Sequence, residues 1–106
     1  MAFREEKLKA LFMKLAAEFL KTEGKSSSLV TITDASISRD LEHATFFVTV
    51  FPDTEEMRAL AELQAKRNDV RSFFMQNTKM KAVPSVTFAI DKGEKARQRI
   101  DELLSQ

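Results

Sequence analysis

Five cations stand between Leu63 and Asp91, namely Lys66, Arg67, Arg71, Lys79 and Lys81, against two carboxylates, Asp69 and Asp91. The whole chain has a formal charge of +1, so this surplus of three leaves −2 on everything else. A local surplus of cations on a near-neutral chain can hold phosphate. Asn68 sits among them, where the pattern predicts a sharp bend between two helices. Asparagine tolerates positive φ at the end of one helix and caps the start of the next. A helix start presents free N–H groups and the positive end of its dipole. A phosphate near Asn68 and Asp69 would therefore meet backbone donors as well as cationic side chains, with Asp69 opposing it. By composition alone, a solvated polar face is the plainer account.

Acid–base, nucleophilic or metal chemistry finds little support. His43 is the only histidine, and it falls at the start of a strand, a surface position. Asp34, Asp40 and Asp91 are scattered over turns and caps, where aspartate has structural reasons to be. No phosphate-binding glycine loop, nucleophile elbow or metal-ligand cluster occurs. With no cysteine, a disulfide framework, a thiolate nucleophile and a zinc–thiolate site are excluded. The expectation is a protein without catalytic residues, metal, cofactor or small-molecule substrate.

A chain of 106 residues is expected to form one domain, 1–106. By size scaling, roughly two thirds of its unfolded surface leaves water on folding. The start of the chain has Glu5 and Glu6 and no apolar run, unlike a signal or transit peptide. No apolar segment approaches the roughly 20 residues that span a bilayer. A cytoplasmic monomer that avoids membranes is expected. Only two glycines and two prolines argue against long linkers, and no internal repeat is present.

The elements that must position the cations follow from periodicity. Leu8, Leu11, Phe12, Leu15, Ala16, Phe19 and Leu20 recur at three- and four-residue steps and predict a helix over Arg4 to Lys21. Gly24 then reads as a helix stop. From Leu29 to Ser38 the pattern alternates, with Val30 and Ile32 on one face and Thr31 and Thr33 on the other. The apolar phase resumes at Ala35 and Ile37, an odd step from Ile32, which predicts a β-bulge near Thr33 and Asp34. Arg39 to Glu42 turns the chain. His43 to Phe51 returns antiparallel, with Ala44, Phe46, Val48 and Val50 inward.

Asp53 with Glu56 fits a helix-start capping pattern after Pro52. Met57, Leu60, Ala61 and Leu63 then face the core, and past the bend Val70, Phe73 and Phe74 form a second apolar face. Pro84 stands at the entrance of a strand in which Val86, Phe88 and Ile90 alternate with Ser85, Thr87 and Ala89. A last helix, capped by Asp91 and Glu94, is expected to bury Ala96, Ile100, Leu103 and Leu104. The order αββααβα predicts an α+β fold, a three-stranded sheet with helices on one face. Thr31, Thr33, Ser36, Ser38, Thr45 and Thr49 would line the open face, with Phe47 and Phe51.

The run from Val30 to Val50, VTITDASISRDLEHATFFVTV, resembles the strand–turn–strand segment of the ribosome-binding factor A family. The matching pieces are Val30 to Thr33, Ser38 to Leu41 and Ala44 to Val50. A second match runs through Val83, Pro84, Val86, Phe88 and Asp91, and Val70 with Arg71 resembles the family's L-R step. The likeness spans most of Leu8 to Leu104. The family bends its helix pair at an Ala-x-Gly step, which here falls on Lys66, Arg67 and Asn68. Its D-P-R step before the first strand is replaced by EGKSSS, Glu23 to Ser28. The chain stops soon after the last helix, so a long basic tail is not expected.

The resemblance implies a type II KH-like domain. It also implies a non-catalytic assembly factor that binds the immature small ribosomal subunit and its ribosomal RNA and assists late maturation. The RNA-binding residues it singles out are Lys66, Arg67, Asn68, Arg71, Lys79 and Lys81. The alternative is a protein-interaction module of the same fold that uses the open sheet face with Phe47 and Phe51.

Overall fold

The computed structural model describes residues 2–23 and 28–105, so Gly24 lies outside the described residues. Helix α1 (Ala2–Thr22) leads into a hairpin of β1 (Leu29–Ile37) and β2 (His43–Phe51). Helices α2 (Glu56–Ala65) and α3 (Arg67–Asn77) cross to β3 (Ser85–Ile90), and α4 (Lys92–Leu104) follows. The strands lie in the order β1-β2-β3, with β1 antiparallel and β3 parallel to β2. A parallel neighbour needs a crossover rather than a tight turn, and the α2–α3 pair supplies it. The expected order αββααβα is the order observed.

Alternation sets the register. Val30 pairs with Val50 and Ile32 with Val48, but Asp34 comes next, opposite Phe47, and Ala35 opposite Phe46. Thr33 is the extra residue, and the predicted bulge lies there. The bulge returns Ala35 to the core face, where it is buried beside Ala44, Phe46, Val48 and Val50. Without it every later side chain of β1 would face the wrong way. The Thr33 hydroxyl donates to Asp91 Oδ2 at 2.6 Å. Ser38 lies beyond β1, in the turn. There its hydroxyl donates to Asp40 Oδ1 at 2.6 Å and accepts the His43 N–H at 3.0 Å. Asp40 also accepts the Glu42 amide at 3.0 Å, and Leu41 takes φ 61°.

The core centres on Phe46, whose ring centroid lies 5.7 Å from that of Phe74 and 6.0 Å from that of Phe88. Phe12 of α1 packs on Phe74 at 5.0 Å, and Phe19 meets Phe73 edge-on at 5.7 Å. Four fully buried aromatic rings, Phe12, Phe46, Phe74 and Phe88, join α1, α3 and the sheet.

Two expectations are corrected. Asp53 to Glu55 form a 3-10 turn, so α2 begins only at Glu56, and no side chain caps it. Its inner face is Ala59 and Leu63, with Leu60 half-buried. Met57 is 85% exposed, and Ala61 is also exposed. The second correction concerns α4. It buries none of Ala96, Ile100, Leu103 or Leu104, because α1, α2 and α3 already cover the core face of the sheet. Two polar contacts hold its first turns: Asp91 Oδ1 accepts the Glu94 amide at 2.9 Å, and Lys95 Nζ pairs with Glu56 Oε2 at 2.8 Å.

Candidate nucleic-acid interface

The α2–α3 junction is made by one residue. Lys66 has φ −96° and ψ 5°, the bridge region that any L-residue can enter. Its N–H still donates to the carbonyls of Glu62 and Leu63, and its own carbonyl accepts from the Val70 amide at 3.0 Å. The chain therefore changes direction without leaving its hydrogen-bond ladder for more than one step. The predicted bend at Asn68 is displaced by two residues. Asn68 lies in the first turn of α3 and has no positive φ; among the described residues Leu41 alone does. Asn68 does not cap α3 either, since no side chain does.

The predicted cations divide into two groups. At the bend, Lys66 Nζ lies 3.7 Å from Glu23 Oε2 at the end of α1, and both groups are partly exposed. Such a pair contributes little to stability. Arg67 donates to the Gln64 carbonyl at 2.6 Å and is exposed. Arg71 is one turn further on. Phe73 is the residue of α3 that touches Phe19, and Arg71 is two positions away, about 200° round the helix. Arg71 is half-buried on α3.

Lys79 and Lys81 follow the far end of α3. The eleven residues of α3 separate them from the bend by about 15 Å. Met80, packed against the core, pins the connection between them and leaves both lysines exposed. Among the described residues, Arg71, Lys79 and Lys81 form no ion pair. The five cations thus make two basic groups, Lys66, Arg67 and Arg71 in and before the first half of α3 and Lys79 and Lys81 beyond its end, with Asn68 in the first group.

The aspartates act structurally. Asp34 accepts from Lys9 at 2.6 Å and from the Ala35 amide at 2.8 Å, and the Lys9 hydrogen bond holds its carboxyl below the usual range. Asp40 is lowered first by the Ser38 hydroxyl. Asp91 is lowered first by the Glu94 amide and then by Thr33. His43 Nδ1 lies 2.9 Å from Ser85 Oγ, and Ser85 Oγ donates to the Glu42 carbonyl at 3.1 Å, which ties β2 to the start of β3. Among the described residues no group of three or more His, Cys, Asp or Glu could hold a metal ion. Among them, too, no helix is long and apolar enough to cross a membrane.

The open face differs in a way that the sequence did not signal. Phe47 is half-buried, whereas Phe51 is 71% exposed. Helix α4 brings Arg99 and Leu103 to the far wall of a cleft of about 800 Å³, opposite Leu29, Thr31, Thr49 and Phe51. No pattern in β2 indicates this, because the opposing wall comes from a helix expected to be packed elsewhere.

Comparison with known proteins gives a consistent result. A family model described as "Ribosome-binding factor A" matches residues 4–104. The ribosome-binding factor A of Thermobifida fusca is 34% identical over 108 aligned residues, which cover 99% of this chain and 72% of that protein. The crystal structure of ribosome-binding factor A from Thermus thermophilus superposes with a TM-score of 0.71 at 20% identity, covering 80% of this chain and 93% of that one. A homology model of the Thermus thermophilus protein, fitted into an electron cryomicroscopy map of a 30S–ribosome-binding factor A complex, aligns with a TM-score of 0.68 at 20% identity. It covers 78% of this chain and 90% of that one. The three-stranded sheet with its helices is the architecture of these structures, consistent with a KH-like fold.

Proposed function

Because the chain belongs to the ribosome-binding factor A family, we propose that it is a non-catalytic assembly factor acting in the cytoplasm as a monomer. In this reading residues 1–106 are one RNA-binding domain, which docks on the immature small ribosomal subunit and assists its late maturation. The observation that carries the reading is the family match over residues 4–104. The Thermus thermophilus relative fitted into a 30S complex supports the small subunit as partner.

The contact surface is the pair of basic groups around α3, with Lys66, Arg67, Asn68 and Arg71 at one end and Lys79 and Lys81 at the other. Phosphate contacts give the affinity, and local RNA shape gives most of the specificity. Neutralising about three phosphates gives a salt slope of about −2, so a fourfold rise in salt weakens binding roughly twentyfold. The test is cosedimentation of the tagged protein with free small subunits and with assembled ribosomes. Selective association with the free subunit is expected, and charge reversal at Arg71, Lys79 and Lys81 should abolish it with the melting temperature unchanged. Binding that ignores both salt and charge reversal would refute the basic surface.

A second reading has one observation in its favour. Phe51 and Leu29 are 71% and 66% exposed at the mouth of the α4 cleft, which suits a protein partner on the open face. Retained subunit binding after charge reversal, lost on Phe51→Ser, would favour it.

A further inference from the structure

Helix α1 uses its lysines in two ways. Lys9 turns toward the sheet and holds Asp34 at the bulge, 2.6 Å away. Lys14 and Lys21 lie on the opposite side, exposed and without an ion-pair partner among the described residues. Seven residues are close to two helical turns, so Lys7, Lys14 and Lys21 fall within about 40° of one another. They form a crest turned away from the buried Phe12, Leu15, Ala16 and Phe19. At about 1.5 Å per residue the row from Lys7 to Lys21 is about 21 Å long. Glu18 is the one carboxylate on it.

The crest is continuous with the bend. Two residues beyond Lys21, Glu23 meets Lys66 at 3.7 Å. The ring contacts Phe12–Phe74 and Phe19–Phe73 lock α1 alongside α3, so the two basic regions keep a fixed relation. Along the crest stand Lys7, Ala10, Leu11, Lys14, Ala17, Glu18 and Lys21. None is aromatic, so an unstacked base has no ring to rest on, and the backbone amides inside a helix are already bonded. A straight, rigid row of cations without a stacking platform suits the phosphate backbone of a duplex, which proteins recognise by shape.

We propose that the α1 crest, through Lys14 and Lys21, is a second row of phosphate contacts that takes a double-helical segment of the RNA bound at the bend. This rests on the RNA-binding reading above and extends it to a helix outside the α2–α3 region. The test compares the full chain with Lys14→Gln/Lys21→Gln and with Arg71→Gln. Each is titrated against free small subunits, an RNA duplex and an unstructured single strand of the same length, at two salt concentrations fourfold apart. Losing two duplex phosphates lowers the salt slope by about 1.8, so the crest variant should be weakened about twelvefold less than the parent by the same rise in salt. Its affinity for the single strand should not change.

An unchanged slope on duplex and subunit overturns the crest while Arg71→Gln still loses subunit binding, and the RNA reading then stands alone. An equal loss on the single strand overturns the duplex assignment. A parent chain that binds none of the three probes sinks both readings. Matching melting temperatures of the three proteins establish that folding is not the cause.

Discussion

Helices α3 and α4 have eleven and thirteen residues, and each shows an apolar stripe at helical spacing, yet they are held in different ways. Val70 and Phe74 of α3 are 1% and 0% exposed. Ile100, Leu103 and Leu104 of α4 are 55%, 64% and 78% exposed. An amphipathic pattern says which side of a helix should meet a neighbour; it does not say that a neighbour is free. By the time the chain reaches α4, three helices cover the core face of the sheet. Helix α3 therefore depends on burial, and α4 on a cap and an ion pair at one end.

The largest expected effect is on the α3 side. Phe74→Ala removes a ring that touches both Phe12 and Phe46, which should cost about 3–5 kcal/mol out of the 5–15 kcal/mol typical of a domain. The melting temperature should fall by roughly 12 °C or more, as circular dichroism would record. A loss below about 1 kcal/mol would mean that α3 is not welded to the core.

A smaller effect, confined to α4, is expected at Asp91. Its carboxyl is held below the ordinary value of 3.8, first by the Glu94 amide and then by the Thr33 hydroxyl. A folded-state pKa below the unfolded one contributes stability that is complete above the unfolded value and is lost as pH falls through the folded value. Hydrogen exchange should show α4 losing protection as pH drops below about 4, while α3 stays protected. Asp91→Ala should lower α4 protection about fivefold at neutral pH, as loss of a cap near 1 kcal/mol implies, and remove the acid step. Equal loss in both helices would dissolve the contrast between them.

The smallest effect is Leu103→Ala. With little burial to lose, its unfolding free energy in urea should change by less than about 0.5 kcal/mol. A loss near 2 kcal/mol would show that α4 docks its apolar stripe in solution.

The strands and the bulge were legible because a period of two permits no drift. Once Ile32 and Ala35 fall on one face, an extra residue must lie between them, and it does, at Thr33. The bend was not legible at the right residue. Asn68 looks like a hinge because asparagine tolerates positive φ, but a bridge-region turn needs no special side chain, and Lys66 makes it. The Asp53–Glu56 pattern failed because a 3-10 turn occupies the positions where a cap would act. The basic residues were legible as a set but not as two groups, since a count along the chain does not include the length of the helix between Arg71 and Lys79. The exposure of α4 was invisible for the reason given above.

One further feature is Gln64, at the end of α2. Its side-chain amide donates to the Phe88 carbonyl at 3.0 Å and accepts the Phe88 N–H at 3.1 Å. Strand β3 is an edge of the sheet, with Ser85 and Asp91 turning their amides toward β2 and its flank. By alternation, the main-chain N–H and C=O groups of Val86, Phe88 and Ile90 point away from β2, while the Val86 and Phe88 side chains stay in the core. Gln64 thus stands where the middle residue of a fourth strand would be. An exposed edge is an invitation to pair with another chain, and proteins blunt it in several ways. Here a single glutamine, delivered by the crossover helix, takes up the main-chain N–H and C=O of Phe88 at the middle of that edge.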